Sequence, residues 1–416
     1  CEERMYPKCD AISSIVGYVK KVEKNEITKV SGVKGVERYY EDRLHPIQDA
    51  LLIGPKDVGH TVILNRYSEA KKRVDERILD EKKAALDARE IIVGVMKSDT
   101  GEMLALATSN RYDPDNIKRS DYPALNATAL EYNYEPGSVM KSITFALLLR
   151  DGKVNPYDLV RTYGGKYQLG RYIIRDTHES GEWISAEDVI VYSSNIGTAQ
   201  LAQKLDPVEF YQGLKDFGFT EKSGIDLPYE STGSIPPLQK FSSETYKASV
   251  GYGYGMEANF LQIMKAYNVF NNKGRMVTPY VGVYFQTADG KRYSVPKAPE
   301  SQVIPISVAK RMKSILIKAV RKGTGTRAQT EGLEIGGKTG TAHISVKGKY
   351  ERLYNSSFMG FANDKENHFT IGVLVREPQK KYHYFASLSA VPVFKAVVDQ
   401  MVEEQYLTPV FEPIEE

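Results

Sequence analysis

The chain has 416 residues, 41% hydrophobic and 26% charged, with a formal net charge of +3. That length and balance fit a soluble globular protein of two or three domains. A charge so mild, with no basic cluster interleaved with aromatics, argues against nucleic-acid binding, and no run approaches the length of a membrane-spanning helix.

The chain opens at Cys1 with neither Met nor a signal peptide, the expectation for a trimmed ectodomain. Cys1 and Cys9 are too few to define a disulfide scaffold, and the six histidines show no metal-ligand spacing. Residues 1–48 read as short strands and turns around Val16-Gly17-Tyr18 and Gly35-Val36-Glu37, and Val62-Ile63-Leu64 as a short strand. Ser68 to Glu90 carries charges at helical spacing over a thin stripe of Val74, Ile78, Ala85 and Leu86, which predicts a solvated helix. Ile91–Met96 and Met103–Ala107 form a hairpin across Asp99-Thr100-Gly101-Glu102.

Ser138 to Arg150 is apolar almost all round, so this helix is expected inside a large domain. Helices and loops fill about 155 to 280. Strands return at Glu334–Ala342, Ser356–Ala362 and Phe369–Val375, and a last helix opens at Pro392. Strands at both ends with helices between predict one sheet assembled from distant segments and covered by helices, an α+β architecture.

Three short segments carry chemistry. Ser138-Val139-Met140-Lys141 supplies a serine and an amine one helical turn apart; the helix N-terminus adds free N–H groups and positive potential. An ordinary lysine cannot accept a proton at neutral pH. Lowering it by roughly 3 pKa units costs about 4 kcal/mol, which burial and a second cation such as Lys338 could provide. In Ser193-Ser194-Asn195 a turn between helices could aim Ser193 and Asn195 in one direction, Ser193 to relay a proton and Asn195 to orient Lys141 and a substrate amide. Lys338-Thr339-Gly340-Thr341 lies on a strand made bare by three glycines. It offers two hydroxyls and an ammonium to a carboxylate.

Each motif alone is weak. Ser-x-x-Lys also starts at Ser31, Ser68, Ser294 and Ser307, and Lys222-Ser223-Gly224 repeats the third pattern in what reads as an ordinary turn. Order, spacing and the apolar setting of Ser138 select one set.

That set resembles the class B penicillin-binding proteins, peptidoglycan D,D-transpeptidases of the serine penicillin-recognising superfamily. Tyr134-Glu135-Pro136-Gly137-Ser138 is similar to the division-type (septal, penicillin-binding protein 3-like) branch rather than the elongation type. Phe217-Gly218-Phe219, Gly224-Ile225-Asp226-Leu227-Pro228, Gly251-Tyr252-Gly253-Tyr254-Gly255 and Ser389-Ala390-Val391-Pro392 also resemble family segments, whereas Ala258-Asn259-Phe260-Leu261-Gln262 departs from the usual Thr-Pro-Leu-Gln. Arg4-Met5-Tyr6-Pro7 and Gly35-Val36-Glu37 look like the end of an N-terminal pedestal, implying a pedestal remnant over 1–48 and a transpeptidase domain over 49–416.

The resemblance implies an antiparallel sheet flanked by helices with an inserted helical subdomain, and no cofactor or metal. It implies an acyl-enzyme on Ser138 with Lys141 as base and the backbone N–H groups of Ser138 and Thr341 as oxyanion hole. Ser193, Asn195 and Lys338 would assist catalysis, and Thr339, Gly340 and Thr341 would hold substrate or β-lactam. It further implies D-Ala-D-Ala stem peptides as substrate, β-lactams as inhibitors, and a missing anchor in the bacterial inner membrane with the catalytic domain periplasmic. Partners implied are a SEDS-type glycosyltransferase and other divisome membrane proteins. An elongation-type transpeptidase, a D,D-carboxypeptidase, a β-lactamase and a β-lactam sensor share the motifs and stay open.

Overall fold

A computed structural model describes residues 13–24, 27–44, 61–64, 78–287, 289–379 and 383–411. Cys1, Cys9, Arg4-Met5-Tyr6-Pro7 and most of the first half of the expected Ser68–Glu90 helix lie outside them. The chain begins with a hairpin, β1 (Val19–Lys24) and β2 (Ile27–Gly32), flanked by short helical turns at Ser13–Val16, Gly35–Tyr39 and Glu41–Leu44. Strand β3 (Thr61–Leu64) follows.

A short helix at Asp80–Leu86 ends on left-handed Asp87 (φ +47), and β4 (Glu90–Lys97) starts at Glu90. The predicted helix therefore stops before Glu90. β5 (Met103–Thr108) completes the hairpin, with Gly101 at φ +84 in its turn. Helix α1 (Met140–Arg150) comes next, preceded by a 3-10 turn at Gly137–Val139.

The region from 155 to 280, expected to be helices and loops, also holds two small ribbons: β6 (Leu159–Arg161) with β9 (Trp183–Ser185), and β7 (Lys166–Leu169) with β8 (Tyr172–Arg175). Helices α2 (Ala186–Val191), α3 (Asn195–Ala202), α4 (Pro207–Asp216), α5 (Glu244–Gly251) and α6 (Phe260–Asn268) follow. β11 (Gly282–Gln286) pairs with both β3 and β12 (Arg292–Ser294), after a short bridge of β10 (Arg275–Met276) with β13 (Ser301–Gln302). Last come α7 (Ile306–Lys322), β14 (Glu334–Val346), β15 (Lys349–Asn363), β16 (His368–Arg376) and α8 (Ala390–Glu403), which begins two residues before Pro392.

The central sheet is antiparallel, in the order β14-β15-β16-β4-β5. Strand alternation explains how it is buried twice. Ile91, Val93 and Val95 join Ile371, Val373, Val375 and the apolar face of α8 in one core; Ile92 and Met96 point the other way, toward α1 and α6. Gly94 and Gly372 bring α6 close, for a Cβ at either would lie 2.4 or 2.8 Å from Met264. This is the α+β arrangement expected, with helices on both faces. The N-terminal segment is tied to the rest by the buried Tyr40 hydroxyl on Asp226, whose carboxylate also accepts the N–H groups of Val281 and Gly282, each at 2.8 Å.

Candidate active site

Ser138 sits in the tight 3-10 turn ahead of α1 and stays partly exposed. Gly137 (φ +66) donates its N–H to the carbonyl of Gly253 at 3.0 Å; a Cβ on Gly253 would lie 2.0 Å from the Gly137 carbonyl oxygen. The glycine-rich segment therefore seats the turn from one side, and the buried Tyr267 hydroxyl donates to the Val139 carbonyl. From the other side comes β14. A Cβ at Gly340 would lie 2.6 Å from Ser357 Oγ and 3.0 Å from Val139 Cγ1.

The other strand glycines serve a different purpose from the one expected. A Cβ at Gly336 or Gly337 would strike Phe361 or Phe358, at 2.3 and 2.4 Å. They make room for rings of β15, not for a ligand.

Lys141 and Lys338 are 1% and 0% exposed and converge on one residue. Lys141 Nζ donates to the Ser193 carbonyl at 2.8 Å and contacts Ser193 Oγ at 3.0 Å, while Lys338 Nζ lies 2.8 Å from the same Oγ and 3.0 Å from the Thr339 carbonyl. Burial pushes the Lys141 amine down to about 7, an effect that Asp176 partly offsets. Lys338 is held well below the ordinary lysine range, by burial first and by the charge of Lys141 second. Two amines beside one hydroxyl do not both hold an extra proton comfortably, so they titrate as a pair.

Ser193 occupies left-handed backbone (φ +59), uncommon for a non-glycine residue and fixed here by its neighbours. Ser194 accepts the N–H of Gly197 and caps α3, and its hydroxyl donates to Asp176 at 2.6 Å. The other Asp176 oxygen accepts the N–H of Ile196 at 3.0 Å. Asp176 thus clamps the turn, and it is the carboxylate whose charge acts on Lys141. Nothing in its sequence neighbourhood marks it.

Asn195 is anchored on the side of the ribbons. The Asn195 amide donates to the Arg175 carbonyl at 2.9 Å, toward β8, while the hydrogen bonds of Lys141 run to Ser193. Ser193 closes a left-handed turn and Asn195 opens the helix that follows it.

Along β14, Thr339 Oγ1 pairs with Thr324 Oγ1 at 2.8 Å, and Thr341 Oγ1 accepts the Ala386 N–H at 3.2 Å. Thr324 follows α7 and was not singled out from sequence. His178, two residues after Asp176, lies near Phe385; its partial desolvation, then the charges of Lys338 and Lys141, lower its pKa. The rival motif copies differ throughout. Lys222, Ser294, Lys297, Ser307 and Lys310 are exposed, Lys34 pairs with Glu131 at 2.7 Å, and Ser68 lies outside the described residues. Among the described residues no group of three His, Cys, Asp or Glu side chains could hold a metal ion, and no helix is long and apolar enough to cross a membrane.

Residues 91–399 match the model of the penicillin binding protein transpeptidase domain. The chain belongs to this family.

Among curated members, penicillin-binding protein PbpB of Mycobacterium tuberculosis is 28% identical over 83% of the chain and 52% of its own length. The probable peptidoglycan D,D-transpeptidase PenA of Neisseria flavescens is 31% identical over 74% and 73%. The chain spans about half the length of the PbpB relatives it matches. Penicillin-binding protein 3 of M. tuberculosis superposes with a TM-score of 0.87 at 26% identity, over 99% of this chain and 92% of that one. The same protein was solved complexed with ampicillin, again at TM-score 0.87 and 25% identity.

In this transpeptidase-family chain the departure at Ala258–Gln262 is structural. Asn259 and Gln262 form a buried capping box at the start of α6, and Gln262 also donates to the carbonyls of Glu221 and Thr232, each at 2.6 Å. Glu135 accepts the Gly255 N–H at 2.9 Å and the Tyr350 hydroxyl at 3.2 Å, tying the segment before Ser138 to the long β14–β15 hairpin.

Proposed function

We propose that this chain is the catalytic part of a class B penicillin-binding protein, a peptidoglycan D,D-transpeptidase working through a Ser138 acyl-enzyme. The observation that carries the reading is the Ser193 hydroxyl held between two buried amines, in a family member with a serine seated beside β14. Neutral Lys141 takes the proton of Ser138 as its Oγ attacks the carbonyl between the terminal D-alanines. The N–H groups of Ser138 and Thr341 stabilise the oxyanion, a contribution worth about 3 kcal/mol per donor. Ser193 passes the proton from Lys141 to the departing D-alanine nitrogen, whose carboxylate is held by Lys338, Thr339 and Thr341, with Gly340 allowing the close approach. The Asn195 carbonyl oxygen accepts from the substrate amide. An amine from a neighbouring stem peptide then attacks the ester and loses its proton to Lys141; the ester bond to Ser138 breaks, Lys141 returns the proton to the departing Ser138 Oγ, and the cross-link forms.

By the same reading the chain is of the division type, on the Glu135-Pro136-Gly137-Ser138 sequence. Residues 1–48 are the pedestal remnant and 49–416 the transpeptidase domain. An anchor outside this segment would hold it at the inner membrane, facing the periplasm, with a SEDS-type glycosyltransferase and other divisome proteins as partners.

The test is incubation with a fluorescent penicillin, with adduct mass, site and lifetime read by mass spectrometry, and cross-linking of stem peptides followed in parallel. One long-lived adduct on Ser138, absent in Ser138→Ala, together with cross-linked product is the expected result. Adduct on Ser138→Ala would sink the assignment. Rapid adduct release would indicate a β-lactamase, and D-alanine release without cross-linking a carboxypeptidase.

A further inference from the structure

Arg175 and Asp176, at the end of the ribbons, hold the turn that carries Ser193 at three points. The Arg175 carbonyl accepts the Asn195 amide at 2.9 Å, and the two oxygens of Asp176 accept the Ser194 hydroxyl at 2.6 Å and the Ile196 N–H at 3.0 Å. On its other side the turn closes on α2. There the Ser193 N–H donates to the Ile190 carbonyl at 3.2 Å and the Ser194 N–H to that of Val189 at 2.9 Å. Asp176 is itself tied down, its N–H donating to the Gly165 carbonyl at 3.2 Å. These bonds fix a left-handed serine that turns both its hydroxyl and its carbonyl to Lys141.

A carboxylate at the start of a helix is ordinary, since it completes the cap and meets the positive end of the dipole. That accounts for the Ile196 bond but not for the surroundings. Among the described residues, the charges acting on this centre are Lys141 on α1, Lys338 on β14, and Asp176 and His178 after β8. Burial is the first cause that lowers each base, and Lys141 adds to it at Lys338. Asp176 works the other way, at Lys141 and at His178. A buried amine lowered too far is a poor proton acceptor, and one lowered too little is already charged at neutral pH. A fixed negative charge beside the Ser193 turn holds the site between those limits.

We propose that Asp176 is a positioning residue of the acyl transfer with two separable roles: through Ser194 it holds the Ser193 turn against the amines, and through its charge it sets the pH range in which the site works. The proposal rests on the transpeptidase reading and adds to that site a residue that touches neither substrate nor nucleophile.

Two variants part the roles. Asp176→Asn removes the charge but keeps an acceptor for the Ile196 N–H and a donor for Ser194 Oγ. Ser194→Ala removes the clamp and keeps the charge. Penicillin acylation is measured across about pH 5–9, on both sides of the amine's midpoint. In parallel the Lys141 amine is titrated by NMR of isotope-labelled lysine side chains, its signal assigned by its absence from Lys141→Met. In Asp176→Asn both midpoints should move down by about one pH unit, the small end of what a neighbouring charge does. Its plateau rate should fall as well, because a weaker base is left. In Ser194→Ala the rate should fall at every pH, with a lower melting temperature and an unmoved midpoint.

An Asp176→Asn protein that keeps both wild-type midpoints would overturn the proposal and leave Asp176 a helix cap. A wild-type rate in Ser194→Ala would overturn the clamp. A downward NMR midpoint in protein that takes no penicillin would uphold the role of the charge and count against the transpeptidase reading instead.

Discussion

Lys338-Thr339-Gly340 and Lys222-Ser223-Gly224 are the same kind of tripeptide in opposite surroundings. Lys338 is buried on the outermost strand of the main sheet, its amine against Ser193, whereas Lys222 reaches into solvent from a turn. In the second copy the buried member is the serine, whose N–H donates to Glu230 at 2.9 Å. The same letters give a perturbed amine in one place and a tethered turn in the other. Burial and partners make the chemistry.

Exchanging each lysine for alanine draws this contrast most sharply. Lys338→Ala should slow penicillin acylation by roughly 10²–10³-fold, the span of one lost preorganised electrostatic contact. Lys222→Ala should leave acylation unchanged and shift stability by less than about 0.5 kcal/mol, as exposed positions do. Stopped-flow acylation and urea unfolding on both variants decide it, and equal effects would erase the distinction.

The pH dependence of Lys141 comes next in size. In the folded protein its amine gives up its proton near 7, against about 10.4 in an unfolded chain. Between those values the unfolded chain binds more protons, so stability rises with pH. Below 7 the full cost of the buried charge is present. Relative to Lys141→Met, the wild type should therefore gain up to about 4 kcal/mol between about pH 6 and 10. Its acylation rate should rise through a midpoint near 7, as the free amine appears. A pH-independent difference between the two unfolding curves would refute the buried-amine account.

The two glycines complete the set. Gly340→Ala places a methyl group against Ser357 and Val139, so a loss of about 1–3 kcal/mol and slower acylation are expected. Gly224→Ala forces alanine to φ +86 and should cost about 1 kcal/mol, with acylation kept. Melting temperatures and acylation rates on both variants separate packing against the nucleophile turn from simple backbone strain.

Much of the centre was legible because it is strongly patterned. The helix after Ser138 is apolar all round, and only a buried environment suits that, so Lys141 could be placed beside it without coordinates. The strands of the main sheet were legible for the same reason, although β14 and β15 run well beyond their apolar cores. The ribbons were not. Tyr172, Ile173 and Trp183 are apolar residues turned outward in strands of three or four residues, too short to set a period. Missing the ribbons meant missing Asp176, which follows β8, and the anchor that β8 gives Asn195. Gly336 and Gly337 misled for another reason, because the rings that fill their space come from β15 and are visible only once the strands are in register.

Among the described residues β14 ends the sheet, with β15 on one side and no strand on the other. A free edge is ordinarily a hazard, a template on which another chain can grow and aggregate. Here the turn that carries Ser138 packs against that edge, with Val139 over Gly340. Crowding of this kind guards a bare edge against unwanted assembly, the same end that a charge or a bulge serves elsewhere.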